Sequence, residues 1–99
     1  MMIQSSQDRG TRDVFDDNRS KAASKTCPPS LWKVAQRKLD QLSQAHALQD
    51  LGVPPGNRLE ALKGDRKGQH RIRVNDQFRV CFVWTEAGPR DVEIVDYYG

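Results

Sequence analysis

The sequence predicts an α+β fold in which two or three N-terminal helices pack on a small, mainly antiparallel β-sheet. Three observations predict it. Leu31, Val34, Ala35, Leu39 and Leu42 recur at helical spacing in the first half of the chain. Gln69 to Val74 and Phe78 to Trp84 alternate with a period of two in the second half. Helices first and strands afterwards suit helices laid on one face of an antiparallel meander. At 99 residues, the chain reads as a single domain, 1–99, with one modest core.

In chain order, Met2 to Ser5 reads as a short first strand, weakened by the Ser5-Ser6 pair. Asp8 or Thr11 caps a short helix that runs to Asp17 and turns Val14 and Phe15 inward. Asn18 to Pro29 is polar and reads as a loop. Ser30 is the expected N-cap of the main helix, which runs to Ala45 with Trp32 bordering its apolar stripe and Lys33, Arg37 and Lys38 on its outer face. Leu48 to Leu51 adds a turn, and Val53-Pro54-Pro55-Gly56-Asn57 excludes regular structure. Leu59 to Lys63 is a short strand stopped by Gly64-Asp65. After the two alternating segments, Ala87-Gly88-Pro89 turns the chain into a last strand, Asp91 to Asp96, bearing Val92 and Ile94.

Composition excludes several classes. No apolar run approaches the length that spans a bilayer, and Met1 to Gly10 lacks an apolar signal core, so the expected compartment is the cytoplasm with no membrane partner. Cys27 and Cys81 form no Cys-x-x-Cys pair and lie far in sequence from His46 and His70, which argues against a metal site. Net charge is +3, but it is unevenly spread. Arg58 to Arg79 holds seven Lys/Arg against three acids, whereas the chain from Val80 onward holds one Arg against four acids. A basic block of this kind suits either a polyanionic partner or a solvated charged face.

Face matching fixes the central hairpin. A two-residue loop at Asn75-Asp76 sets Ile72 opposite Arg79, whereas a three-residue loop, Asn75-Asp76-Gln77, sets Val74 opposite Phe78 and Ile72 opposite Val80. The second register keeps the apolar face whole and brings Arg73 opposite Arg79 on the other face. Like charges facing each other are unfavourable unless an anion lies between them. Local acids are one such anion. A phosphate, held by paired guanidinium hydrogen bonds with Arg71 and Lys63 nearby, is the other.

The terminal Asp96-Tyr97-Tyr98-Gly99 either caps the core or brings a carboxylate and two phenols to this cluster. Carboxylate, phenol and guanidinium together suit RNA cleavage without a metal or other cofactor. Such cleavage must take a proton from the 2′-hydroxyl, stabilise a pentavalent phosphate and protonate the leaving 5′-oxygen. Tyrosines also stack on single-stranded bases.

Pro54-Pro55-Gly56-Asn57-Arg58-Leu59-Glu60-Ala61-Leu62-Lys63-Gly64, Gly68-Gln69-His70, Ile72 to Phe82 and Val92-Glu93-Ile94-Val95-Asp96-Tyr97 resemble a HigB-type toxin of the RelE/ParE superfamily, over roughly Ser30 to Tyr98. The resemblance implies a RelE-like, microbial-ribonuclease-like α+β domain that cleaves messenger RNA in the ribosomal A site and arrests translation. It implies a HigA-like helix-turn-helix antitoxin as partner, with operator DNA reached only through that antitoxin. Lys63, Arg73 and Arg79 match the family's phosphate-holding positions, and Asp96 and Tyr97 match the start of its terminal catalytic motif. Arg58, Lys67, Arg71, Lys33 and Arg37 are the expected further RNA contacts.

The chain departs from the family at two positions. Tyr98 stands where many relatives have histidine, and Glu60 stands where some have a functional histidine. Proton transfer then falls to Glu60, Asp96 or a tyrosine, whose free phenol titrates only at about 10. His70 alternates with Ile72, away from the arginines. Two other readings accompany the ribonuclease: a ParE-like gyrase poison, and a catalytically weak toxin that only binds its antitoxin or RNA.

Overall fold

Asp8 takes an extended backbone, and its carboxylate accepts the Thr11 N–H at 2.7 Å, which starts α1 (Arg9–Phe15). In this computed structural model, which describes residues 2–98, a second helix follows where the sequence suggested a loop: α2 (Lys21–Thr26), capped by the Ser20 hydroxyl on Ala23 N at 3.1 Å. It forms by packing on α1. A side chain at Gly10 would collide with Thr26 Oγ1 and the Ala22 carbonyl, so only glycine lets the two backbones approach so closely. The buried Asp13 carboxylate ties the pair together, accepting the Ser20 hydroxyl at 2.6 Å and Asn18 Nδ2 at 3.3 Å.

The main helix, α3 (Trp32–Gln44), follows a single 3-10 turn, Pro29–Leu31. Ser30 therefore sits inside that turn rather than at the helix cap. Trp32 Nε1 donates to the Cys27 carbonyl at 2.9 Å, and Ala35, Leu39 and Leu42 are fully buried. The proline-rich stretch after it is organised by buried Asn57, which donates to Leu51 O and Gln41 Oε1 and accepts from Lys38 Nζ. Lys38 is thus spent on the fold rather than on the outer face. Cys27 and Cys81 are both buried and free, with no disulfide between them. Among the described residues, no helix is long and apolar enough to cross a membrane.

Four antiparallel strands follow in the order β1 (Glu60–Ala61), β2 (His70–Arg73), β3 (Phe78–Thr85) and β4 (Gly88–Asp96). Ile72 pairs with Val80 and Arg73 with Arg79, the register derived from the three-residue loop. β1 is shorter than the sequence suggested and leaves Lys63 outside the sheet. β4 is longer: it begins at Gly88, the chain turns before it, and Pro89 pairs with Trp84. A bulge sets Asp91 and Val92 against Phe82, with Asp91 at a φ of 52°. The early strand reduces to one parallel bridge, Ser6 with Val92, on the free edge of β4.

The helices cover one face of this sheet. Val14, Ala23, Trp32, Ala35, Leu39 and Leu42 pack on Ile72, Phe78, Val80, Phe82, Val92 and Ile94. The Thr11 hydroxyl also takes the Ile94 N–H at 3.0 Å, where the β4 backbone meets α1. Alternation then sends Arg71, Arg73, Arg79 and Val95 to the face without helices.

Candidate active site on the open face of the sheet

Two rows of side chains cross the open face. Glu60, Arg71, Cys81 and Glu93 are successive partners in one row, and Arg73, Arg79 and Val95 are successive partners in the next. Tyr97 lies just beyond β4 and folds over both rows. Its ring sits 5.0 Å from the Arg71 guanidinium carbon and 5.5 Å from that of Arg79, and its hydroxyl is 3.8 Å from Cys81 Sγ. The ring is 39% exposed and seals a thiol with no exposure at all. Burial pushes the Cys81 thiol up, which disfavours the nucleophilic thiolate.

The arginines have local partners, as one of the two sequence readings allowed. Arg71 Nη2 pairs with Glu60, and Arg73 Nη2 pairs with Asp76. Contact with the Tyr97 phenol raises the Arg71 pKa, with Glu60 adding to the effect and burial opposing it. Arg79 Nη1 donates to the carbonyls of Asn75 and Phe78. These pairings do not use up the cluster. The Asp76 side chain is 83% exposed, and an exposed pair of this kind contributes about 0–1 kcal/mol. Nε of Arg73 is buried with no hydrogen-bond partner among the described residues, so this guanidinium retains donor capacity. Arg66 joins the margin of the face, bonded to Glu93 Oε1 at 3.3 Å and Gln69 Oε1 at 3.0 Å.

The remaining expected residues divide. Glu60 belongs to the face. Lys63 is exposed beside a 3-10 turn, Gly64–Arg66, with exposed Lys67 closing that turn, and Arg58 is exposed with a left-handed backbone. These three extend the basic surface around the chain segment that carries β1. Tyr98 is 73% exposed. Asp96 is placed differently from the expectation. It pairs with Phe78, in the alternating set of Val92 and Ile94, and its carboxylate accepts Gln77 Nε2 and the Tyr98 N–H. The alternation of β4 already carried that signal. Lys33 and Arg37 sit exposed on α3, in the layer on the other side of the sheet, and do not join the arginines. His70 stacks on Phe82, with ring centres 6.2 Å apart, on the core side as alternation required.

The sequence reading treated Gln77 only as a turn residue, yet its backbone and side chain join the turn to the end of β4. Among the described residues, no group of three or more His, Cys, Asp or Glu stands close enough to hold a metal ion.

A family model described as the RelE-like toxin of the type II toxin–antitoxin system HigB matches residues 4–98. The chain belongs to the HigB toxin family. This HigB-family toxin is 38% identical to Toxin HigB-1 of Vibrio cholerae serotype O1 over 81 residues, which cover 82% of each chain. It is also 42% identical to an uncharacterized protein of Haemophilus influenzae over 55 residues, 56% of this chain and 54% of that one. Membership carries one implication directly: a type II toxin has an antitoxin partner.

Proposed function

We propose that this toxin is a ribosome-dependent endoribonuclease that cleaves messenger RNA in the A site without a metal ion. The observation that supports it best is the direct opposition of Arg73 and Arg79 on a face no helix covers, with Arg71 and Tyr97 beside them. Two guanidinium groups there stabilise the additional charge of a pentavalent phosphate. The 2′-oxygen attacks phosphorus as its proton passes to Glu60, and the departing 5′-oxygen gains a proton from Tyr97 or from a ribosomal group. The products are a 2′,3′-cyclic phosphate and a 5′-hydroxyl. Tyr97 and Tyr98 offer ring surface to unpaired bases. Lys63, Arg58 and Lys67 extend the positive surface along the RNA backbone. With Glu60 and Tyr98 where relatives carry imidazoles, cleavage depends strongly on ribosomal RNA to complete the site. The partner that silences it is a HigA-like helix-turn-helix antitoxin, through which the toxin reaches operator DNA.

Mapping 5′ ends on ribosome-bound and naked message tests this. New ends are expected only on ribosome-bound message, and Arg73→Ala or Arg79→Ala is expected to reduce them by about a hundredfold or more while the protein stays folded. Full cleavage by both variants overturns the phosphate role. A DNA-damage response with intact message would identify a gyrase poison, and growth arrest without new ends a binding module.

A further inference from the structure

We propose that Gln77 is a positioning residue that holds Tyr97 over the arginines, and that Asp96 acts through this clamp rather than on RNA. The inference rests, for its activity measurement, on the ribonuclease reading above.

The β2–β3 turn already contacts both arginines. Asp76 takes Arg73, and the Asn75 carbonyl takes Arg79. Asn75 Oδ1 in turn accepts the N–H groups of Gln77 at 2.9 Å and Phe78 at 2.7 Å, which makes the turn stiff. Gln77 then reaches across to the end of β4 in two ways. Its carbonyl accepts the Tyr97 N–H at 2.8 Å, and its Nε2 donates to both Asp96 oxygens, at 3.1 and 3.2 Å. Asp96 Oδ1 closes the circuit by accepting the Tyr98 N–H at 2.9 Å.

This circuit lies where the sheet ends. Phe78 with Asp96 is the last pair of the β3–β4 ladder, so Tyr97 has no strand partner of its own. Its ring rests on two arginines and its hydroxyl lies 3.8 Å from Cys81 Sγ, contacts that hold the side chain but not its backbone. Gln77 supplies the directional bonds that the ladder no longer provides. The register gives Asp96 the alternation of Val92 and Ile94, opposite to that of Arg73 and Arg79. Its two oxygens already accept Gln77 Nε2 and the Tyr98 N–H. A carboxylate so placed orients the residues after it and does not meet a phosphate lying on the open face.

The test exchanges the polarity of the pair. Gln77→Glu sets two carboxylates against each other, and kcat on ribosome-bound message is expected to fall by about a hundredfold, the effect of misplacing a reacting group by an ångström, with KM nearly unchanged. Hydrogen exchange at the Tyr97 amide should accelerate in the same variant, while exchange in β2 and β3 stays as in the wild type. Adding Asp96→Asn restores the bond in reverse, because Asn Nδ2 donates to Glu while Asn Oδ1 still accepts the Tyr98 N–H. The double variant is expected to regain both Tyr97 protection and cleavage to within about threefold of wild type. Wild-type exchange and cleavage in Gln77→Glu would overturn the clamp. A double variant with restored protection but no cleavage would show that the Asp96 carboxylate itself takes part in the chemistry. If the wild type does not cut ribosome-bound message, the ribonuclease reading fails, and the exchange pattern alone upholds or overturns the clamp.

Discussion

Ile72 and Arg73 are neighbours in β2, and Val80 and Arg79 are neighbours in β3, yet each pair sends one member to a dry core and one to an open surface. On the core side, apolar groups from three helices and the sheet complete one another. On the open side, like charges are placed opposite each other, with exposed acids and one tyrosine as the available counterparts. The contrast teaches that one alternating set of residues completes the core while most of the other set stands outside it. Substitutions on the two faces should therefore separate folding from activity.

The largest effect is expected on the core side. Phe82→Ala should cost about 3–5 kcal/mol, a large part of the roughly 5–15 kcal/mol that holds such a domain together. Urea denaturation measures it, and a loss below about 1 kcal/mol would break the comparison from the core side.

Tyr97→Ala attacks the comparison from the other side. Cleavage should fall by about a hundredfold as a proton-handling group is removed, with stability lowered by about 1 kcal/mol or less. Thiol labelling sharpens the result. Cys81 should become reactive once its cover is gone, while Cys27, buried and pushed up to about 11, stays inert. Tyr97→Phe keeps the cover and loses only the hydroxyl, so it should leave Cys81 protected. A Tyr97→Ala protein that unfolds would show that the open face also carries the fold.

The smallest effect lies within the helical layer and depends on pH. The Ser20 hydroxyl, with Arg9, Asn18 and Arg12 adding and burial opposing, holds the Asp13 carboxyl below its ordinary value of 3.8. Its folded pKa is depressed, so its stabilisation is present above the unfolded value and is lost as pH falls through the folded one. Asp13→Asn should flatten the dependence of thermal stability on pH below about 4, with stability near neutrality modestly lowered because the ionised carboxylate no longer contributes there. A variant that keeps the full wild-type acid sensitivity would place the acid-labile contact elsewhere.

The parts legible in the sequence are those governed by a strict period. The α3 stripe and the hairpin register both followed from apolar spacing, and the register alone placed Arg73 against Arg79. The same rule carried through Val92 and Ile94 separates Asp96 from that pair, a step obscured by the expectation that the terminal motif acts as a unit. Helix α2 was illegible because only Ala23 of its six residues is buried, and its polar sequence resembles a loop. Its signals were the N-cap Ser20 and Gly10, a neighbour's residue whose meaning depends on a contact in space. The start of β4 was hidden because Gly88 and Pro89 read as a turn, although tertiary pairing holds them extended. The local partners of the arginines, Glu60 and Asp76, were anticipated in kind, but which acid met which guanidinium depended on the geometry of the turn and of β1.

The parallel bridge between Ser6 and Val92 has a consequence for assembly of the chain. The Gln4 N–H reaches the Pro89 carbonyl and the Gln7 N–H reaches the Val92 carbonyl, both at 2.7 Å, so a segment from the opposite end of the sequence seals the outer rim of the last strand. Contacts of such long span are slow to form, because a long loop must close first. Until this one closes, the rim is a template on which another polypeptide can add itself, and crowded refolding is when that hazard is greatest.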